Sequence, residues 1–221
     1  SPADAACAMK LQEVLNAAGE RAAAGVSATV KVAGYRGGAS VYHPNTLSNP
    51  NDPKSYTFVI PEGVTVMGGY NEGTYNNGEY QNDGNWDEDD RNAAEFMTVL
   101  SAVCDATAGR QAVNGYHVVQ FGKDGGSVLG NPVLLDGVYL EDGLATASSG
   151  RGNANTRGGG AIVPANAHVR NCVVRYNEAV DGGGLFVLPG GLVSGCGVMQ
   201  NKAGYGGGMY LSAEGGVTDS N

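Results

Sequence analysis

Residues 153–218 fall into three lines of one register: NANTRGGGAIVPANAHVRNCVVRY (153–176), NEAVDGGGLFVLPGGLVSGCGVMQ (177–200) and NKAGYGGGMYLSAEGGVT (201–218). The glycine triplets end at Gly160, Gly184 and Gly208, 24 residues apart. Asn153, Asn177 and Asn201 keep the same spacing, as do Val169, Val193 and Val217. So do the pairs Cys172/Cys196 and Val174/Val198. A period in the twenties, with short strand-like segments and no helix between them, predicts a β-solenoid in which equivalent residues stack about 4.8 Å apart.

Upstream, Asp136-Gly137-Val138-Tyr139-Leu140 matches Asn171-Cys172-Val173-Val174-Arg175 at an offset of 35, which puts eleven extra residues near 143–152. Solenoids accept such insertions at a corner. Short period-two segments precede it: Val30 to Val32, Tyr56 to Ile60, Val64 to Val66, Thr98 to Leu100, His117 to Phe121 and Val133 to Leu140. Each is bounded by Gly, Asn, Asp or Pro and reads as a strand. The first 25 residues differ. Cys7, Leu11, Val14, Leu15 and Ala18 share one helical face, Ser1-Pro2-Ala3-Asp4 resembles a capping box, and Gly19 is the expected terminator. A helix with one apolar stripe predicts a lid on the end of a core.

Composition narrows the function classes. Glycine supplies 37 of 221 residues, yet never with the three-residue period that collagen requires. With 42% hydrophobic and 16% charged residues, the chain is too apolar to be disordered. A net charge of −9 argues against nucleic acid, which calls for basic patches. No apolar run approaches the ~20 residues of a membrane span. The four cysteines lie far apart and form no CxxC, so neither a disulfide scaffold nor a zinc site is expected.

The helical lid, Thr29-Val30-Lys31-Val32-Ala33-Gly34, Val64-Thr65-Val66-Met67-Gly68-Gly69-Tyr70, Leu135-Asp136-Gly137 and the GGGLF and GGGMY repeats resemble the right-handed parallel β-helix proteins of the pectate-lyase-like superfamily. The repeats are similar to those of polymorphic outer membrane proteins. The nearest likeness is to secreted or surface-exposed β-helix proteins of gut Bacteroidetes. The resemblance covers nearly the whole chain. It implies an all-β, right-handed parallel β-helix with an N-terminal α-helical cap: one domain over 1–221, with the cap at 1–25, coils at 26–221 and insertions near 71–91 and 143–152. Val217 continues a column with no terminal cap after it, so a longer natural protein, or a trimmed fragment of one, is expected. The implied setting is secreted or at a bacterial cell surface.

Fold alone does not give function, because this architecture carries lyases, hydrolases, esterases, adhesins and stalks. The superfamily's polygalacturonase-like hydrolases carry a Gly-His-Gly that this chain lacks. Its lyases use an Arg or Lys base beside acidic calcium ligands, whereas Arg170, Arg175 and Lys202 read here as isolated. Glu178 with Lys202, and Arg157 with Asp181, are expected to pair across adjacent coils. The Asn column and the Gly triplets read as structural. His117 shares parity with Val119 and Phe121 and is expected in the core; His168 has no fixed role.

The remaining candidates are aromatic. Ile162, Phe186 and Tyr210 should form an outward ladder, which needs a cover. The loop from 71 to 91 holds Tyr75, Tyr80 and Trp86 among Glu72, Glu79, Asp83, Asp87, Glu88, Asp89 and Asp90, and is the internal candidate for that cover. It is expected outside the coil core, with no metal required. The expected function is a non-catalytic extracellular scaffold or adhesin-like domain, with Phe186, Tyr210, Tyr75, Tyr80 and Trp86 as ligand-binding candidates. Its partners would be a polysaccharide or a host or cell-surface protein, with no cofactor. The alternative is a polysaccharide lyase or glycoside hydrolase.

Overall fold

The computed structural model describes residues 2–36, 38–45, 47–71, 74–76, 79–81, 91–104, 113–148, 152–212 and 216–218. The chain is mostly β. Its parallel strands stack into curled sheets, and the result is solenoid-like.

Three sheets surround the core. The first runs through Ala28–Arg36, Val64–Asn71, Val133–Asp136, Ala167–Arg170, Leu192–Ser194 and Gly216–Thr218. The second runs through Ser40–Tyr42, Phe96–Ser101, Tyr139–Glu141, Val173–Arg175 and Gly197–Met199. The third runs through Phe58–Ile60, Val119–Phe121, Ala161–Val163, Leu185–Val187 and Met209–Leu211. A short ladder of Leu144–Ala145, Glu178–Asp181 and Lys202–Tyr205 lies beside them. The end of Ala28–Arg36 turns to pair antiparallel with Phe96–Ser101 and joins the first two sheets.

The 24-residue register holds. Val169 pairs with Val193, and Val193 with Val217. Val174 pairs with Val198, and Leu185 with Met209. Alternation puts Val30, Val66, Leu135, Val169 and Val193 inside, all buried. Val174 is buried, while Val173 and Arg175 on either side are half-buried. Each fully buried Val or Leu contributes about 1.5–3 kcal/mol of transfer free energy, and that stack of side chains is the core.

Corners are made by residues in the left-handed region. Gly158, Gly182 and Gly206 have φ of 55°, 65° and 59°, so only the first glycine of each triplet is there for its dihedral. Gly159, Gly160, Gly183 and Gly184 are there for space: a Cβ on Gly183 would collide with the carbonyl oxygens of Gly207 and Lys202. A second corner uses Gly137, Asn171 and Gly195, at 68°, 52° and 60°.

That corner corrects the upstream register. Leu134 pairs with His168 and Leu140 with Val174, an offset of 34 rather than 35. Gly137, not Asp136, is the equivalent of Asn171, because the turn conformation sets the alignment and the Asx side chain does not. The segment 133–140 is therefore two strands in different sheets, broken at Gly137. Gly143 and Leu144 still follow the coil, so the extra residues lie after Ala145 and include a short 3₁₀ turn, Ala154–Thr156.

The helix spans Pro2–Ala23 and passes through Gly19. Gly25, with φ of 78°, is where the chain turns away. Gly19 is a close-approach residue instead, since a Cβ there would stand 2.5 Å from Pro61 Cβ. Leu11, Leu15 and Ala18 are buried, but Val14 is 48% exposed and lies off the stripe. Gln12 donates its Nε2 to the Val59 carbonyl and accepts from the Val59 N–H, both at 3.0 Å. It thus serves as a strand surrogate at the edge of the third sheet, satisfying groups that would otherwise invite another strand. Ser1 and the side chain of Cys7 lie outside the described residues. Among the described residues no helix is long and apolar enough to cross a membrane.

Candidate functional site

The outward row of the third sheet is Val59, Gln120, Ile162, Phe186 and Tyr210. Phe186 and Tyr210 stack with ring centroids 5.1 Å apart and planes 6° apart. Phe186 is nevertheless only 3% exposed and Ile162 8%, while Tyr210 is half-buried. The Arg157 guanidinium lies 4.6 Å from the Phe186 centroid. Arg157 and Asp181 do meet, as backbone bridge partners, but the guanidinium goes to the ring. Its buried Nε has no hydrogen-bond partner, so the π face is what offsets its desolvation. The cover over Phe186 thus includes the arginine at which the coil resumes after the insertion.

Tyr75 and Tyr80 are directly opposed in a two-stranded antiparallel hairpin, Thr74–Asn76 with Glu79–Gln81, which forms a sheet of its own. Trp86 and the acidic residues Glu72, Asp83, Asp87, Glu88, Asp89 and Asp90 lie outside the described residues. Among the described residues no group of three or more potential ligands is placed to hold a metal ion.

At the other end of the outward row the insertion and two loops enclose a cleft of about 220 Å³. Ile162 and Gln120 form its floor, and Tyr116, His117, Asp124 and Asn155 contribute to its walls. The sequence parity of His117 with Val119 and Phe121 does not bury it in the core. It is half-buried and lines this cleft instead. Its Nδ1 stands 2.8 Å from the Gly158 carbonyl. A carbonyl only accepts, so Nδ1 carries the proton and Nε2 is left as an acceptor. Burial pushes the imidazole below its usual value, which keeps it neutral. Gln120 spends its Nε2 on the carbonyls of Gly122 and Lys123, at 3.1 and 2.7 Å, and its Oε1 remains for another donor. Burial, and then the negative charge of the Asp52 carboxylate, push the Tyr116 phenol up. The cleft thus sets fixed acceptors on its walls beside the small exposed part of Ile162.

A second cluster lies on the outer face of the first sheet. Asp136, fully buried, accepts from Arg91 Nη2 at 2.6 Å and Arg170 Nε at 2.5 Å. Burial pushes its carboxyl up, but the two guanidiniums outweigh that and hold it below the usual range. Arg91 also donates to the Gly68 carbonyl at 2.6 Å, fastening the far end of the 71–91 segment. His168 Nε2 stands 2.6 Å from Ser194 Oγ on the next strand. Arg175 is bound to Glu141 at 2.6 Å, and Lys202 to Glu178 at 2.8 Å. Arg170 and Arg175 are therefore not isolated. Their acids lie 34 residues upstream, where an offset of 35 finds only leucines.

The Asn column has two members, not three. Asn177 bonds Asn201 and also accepts from the Gly143 N–H. Asn153 instead caps the 3₁₀ turn, accepting from Asn155 N. Cys172 and Cys196 are stacked, buried and free.

No family model matches the chain, and no curated protein and no solved structure matches it.

Proposed function

We propose that this chain is a right-handed parallel β-helix of the pectate-lyase-like kind, acting as a non-catalytic scaffold at a bacterial cell surface or outside the cell, and that it binds glycan in the cleft over Ile162 and Gln120. The observation that carries this is the cleft itself. His117 Nε2 and Gln120 Oε1 present acceptors that match sugar hydroxyls. The volume lies below the ~300–1,000 Å³ of sites for larger ligands, so it suits one sugar residue or a chain end. Among the described residues Asp124 is the only carboxylate lining it, whereas glycoside hydrolysis usually needs two acids flanking the bond. Glycan-array binding followed by calorimetry tests the reading. Gln120→Ala and His117→Ala should each weaken binding about tenfold, with no sugar released. Unchanged binding in both variants would remove the cleft from the account.

The enzyme alternative has one observation of its own, the 2.6 Å contact of His168 with Ser194 beside the Arg91–Asp136–Arg170 cluster. Release of reducing or unsaturated sugar that stops in Ser194→Ala would establish it over the scaffold.

A further inference from the structure

Resting on that glycan reading, we infer that the cleft selects an N-acetylated amino sugar over the plain hexose and over the free amine. Its lining has already spent most of its protons. Ser48 donates its hydroxyl to the Ser55 carbonyl at 3.1 Å. His117 Nδ1 gives its proton to the Gly158 carbonyl, and Gln120 Nε2 gives both of its own to the carbonyls of Gly122 and Lys123. Ser55 and Thr57, deeper in the wall, likewise donate to backbone carbonyls. These neutral side chains all line the cleft, and what they keep are lone pairs. Gln120 Oε1 stays approachable because residue 125 is glycine: a Cβ there would stand 3.1 Å from it, and φ at that position is 39°.

Donors on the same lining come from the ammonium groups of Lys54 and Lys123 and from the side-chain amide of Asn155. None of the three has a partner among the described residues. An acetamido group answers both sets. Its carbonyl oxygen accepts from an ammonium or an amide, and its N–H donates to a fixed acceptor. Unlike a hydroxyl, the amide nitrogen has no lone pair to strand there. A hexose hydroxyl gives one proton to the wall and turns its own lone pairs toward those of the protein, and a polar group left unpaired costs affinity. The free amine is disfavoured for a different reason. As an ammonium it would share the cleft with two lysines, against the single carboxylate of Asp124 among the described lining residues. A neutral N–H therefore fits this lining better than a hydroxyl or a charged amine, and the discrimination comes from what the wrong substituent leaves unpaired or repelled.

The test titrates the intact chain with methyl glycosides in the gluco and galacto series, each as the N-acetylated sugar, the free amine and the plain hexose, and reads affinity by ligand-observed NMR. At least one acetylated sugar should bind about tenfold tighter than its hexose and than its amine. The margin over the hexose should persist at high salt, because no charge distinguishes the two. Gln120→Ala and Asn155→Ala should each narrow it. Equal binding of acetylated sugar and hexose, a preference for the amine, or a margin over the hexose that salt abolishes would overturn the inference and leave the glycan reading standing. If no sugar binds, both fail. Should Gln120→Ala not fold, the comparison of sugars and the salt series on the unmodified chain still decide the matter.

Discussion

Asn177 Nδ2 lies 3.0 Å from Asn201 Oδ1, 24 residues further along the chain, and the same Nδ2 also reaches the carbonyls of Leu140 and Arg175. Its Oδ1 accepts from Gly143 N at 2.9 Å. One amide thus ties three successive rungs together. Asn177→Ala should lower stability by about 2–4 kcal/mol, because each buried group left unpaired costs ~1–3 kcal/mol. Chemical denaturation measures it, and a loss under 1 kcal/mol would show that the column carries little.

Asp136 makes a second bond between distant parts. Asp136→Asn leaves Arg91, whose side chain is 14% exposed, without its counter-charge. Arg170 is 42% exposed and screened by water, so the expected loss is about 2–3 kcal/mol, below the ~3–5 kcal/mol of a fully enclosed pair. The carboxyl is held below its usual range, so its contribution is complete above the unfolded value of about 3.9 and is lost as pH falls through the folded value. Acid unfolding of Asp136→Asn should accordingly show a weaker pH dependence below about pH 4.

Histidine adds a window nearer neutrality. His117 is pushed down by burial, and His168 by burial and by Arg170. Unfolded histidine takes a proton near pH 6.5 that these native rings resist, so stability is complete above that value and declines as pH drops through the folded values. Melting temperature should fall between pH 7.5 and 5, and the slope should flatten in His117→Gln. An equal slope in the variant would assign the effect elsewhere.

Cys172 shares its column with Val138 on the rung before, and both are buried. Burial pushes the Cys172 thiol well up, which makes it a poor nucleophile. Cys172→Val should therefore change stability by less than about 1.5 kcal/mol, the usual limit for a swap of similar volume. In the unmodified chain Cys172 should resist alkylation until the protein unfolds, as mass spectrometry after labelling would show.

The Phe186 and Tyr210 rings differ in burial, and their variants should differ too. Phe186→Ala should cost about 3–5 kcal/mol as a core deletion, and Tyr210→Ala markedly less. Neither should alter glycan affinity. A binding loss in Tyr210→Ala at unchanged stability would move the ligand along the row.

The repeat was readable because stacking forces chemically similar side chains into one column. The valines, the cysteine pair and the Glu178–Lys202 contact all follow from a single offset. What escaped depends on backbone conformation. Asp136 looks like Asn171, but the left-handed corner belongs to Gly137, and one residue of slip hid the partners of Arg170 and Arg175. Asn153 kept the spacing by coincidence, since an insertion had already displaced its rung. Arg91 carries no periodic signal at all, for its role is set by a bond to Asp136 across 45 residues. The cleft is assembled from segments whose meeting no local pattern announces.

A rung of this molecule presents on its upper side the same features that it requires from the rung below. A tandem copy of 24 residues would therefore bring its own amide, its own valine and its own corner glycine, and would slot in without a new surface to solve. A residue gained or lost inside a strand would turn its inward valine outward, whereas the corner after Ala145 takes extra residues with the register kept. The stack can thus grow by whole rungs or swell at its corners, but not change length within a strand.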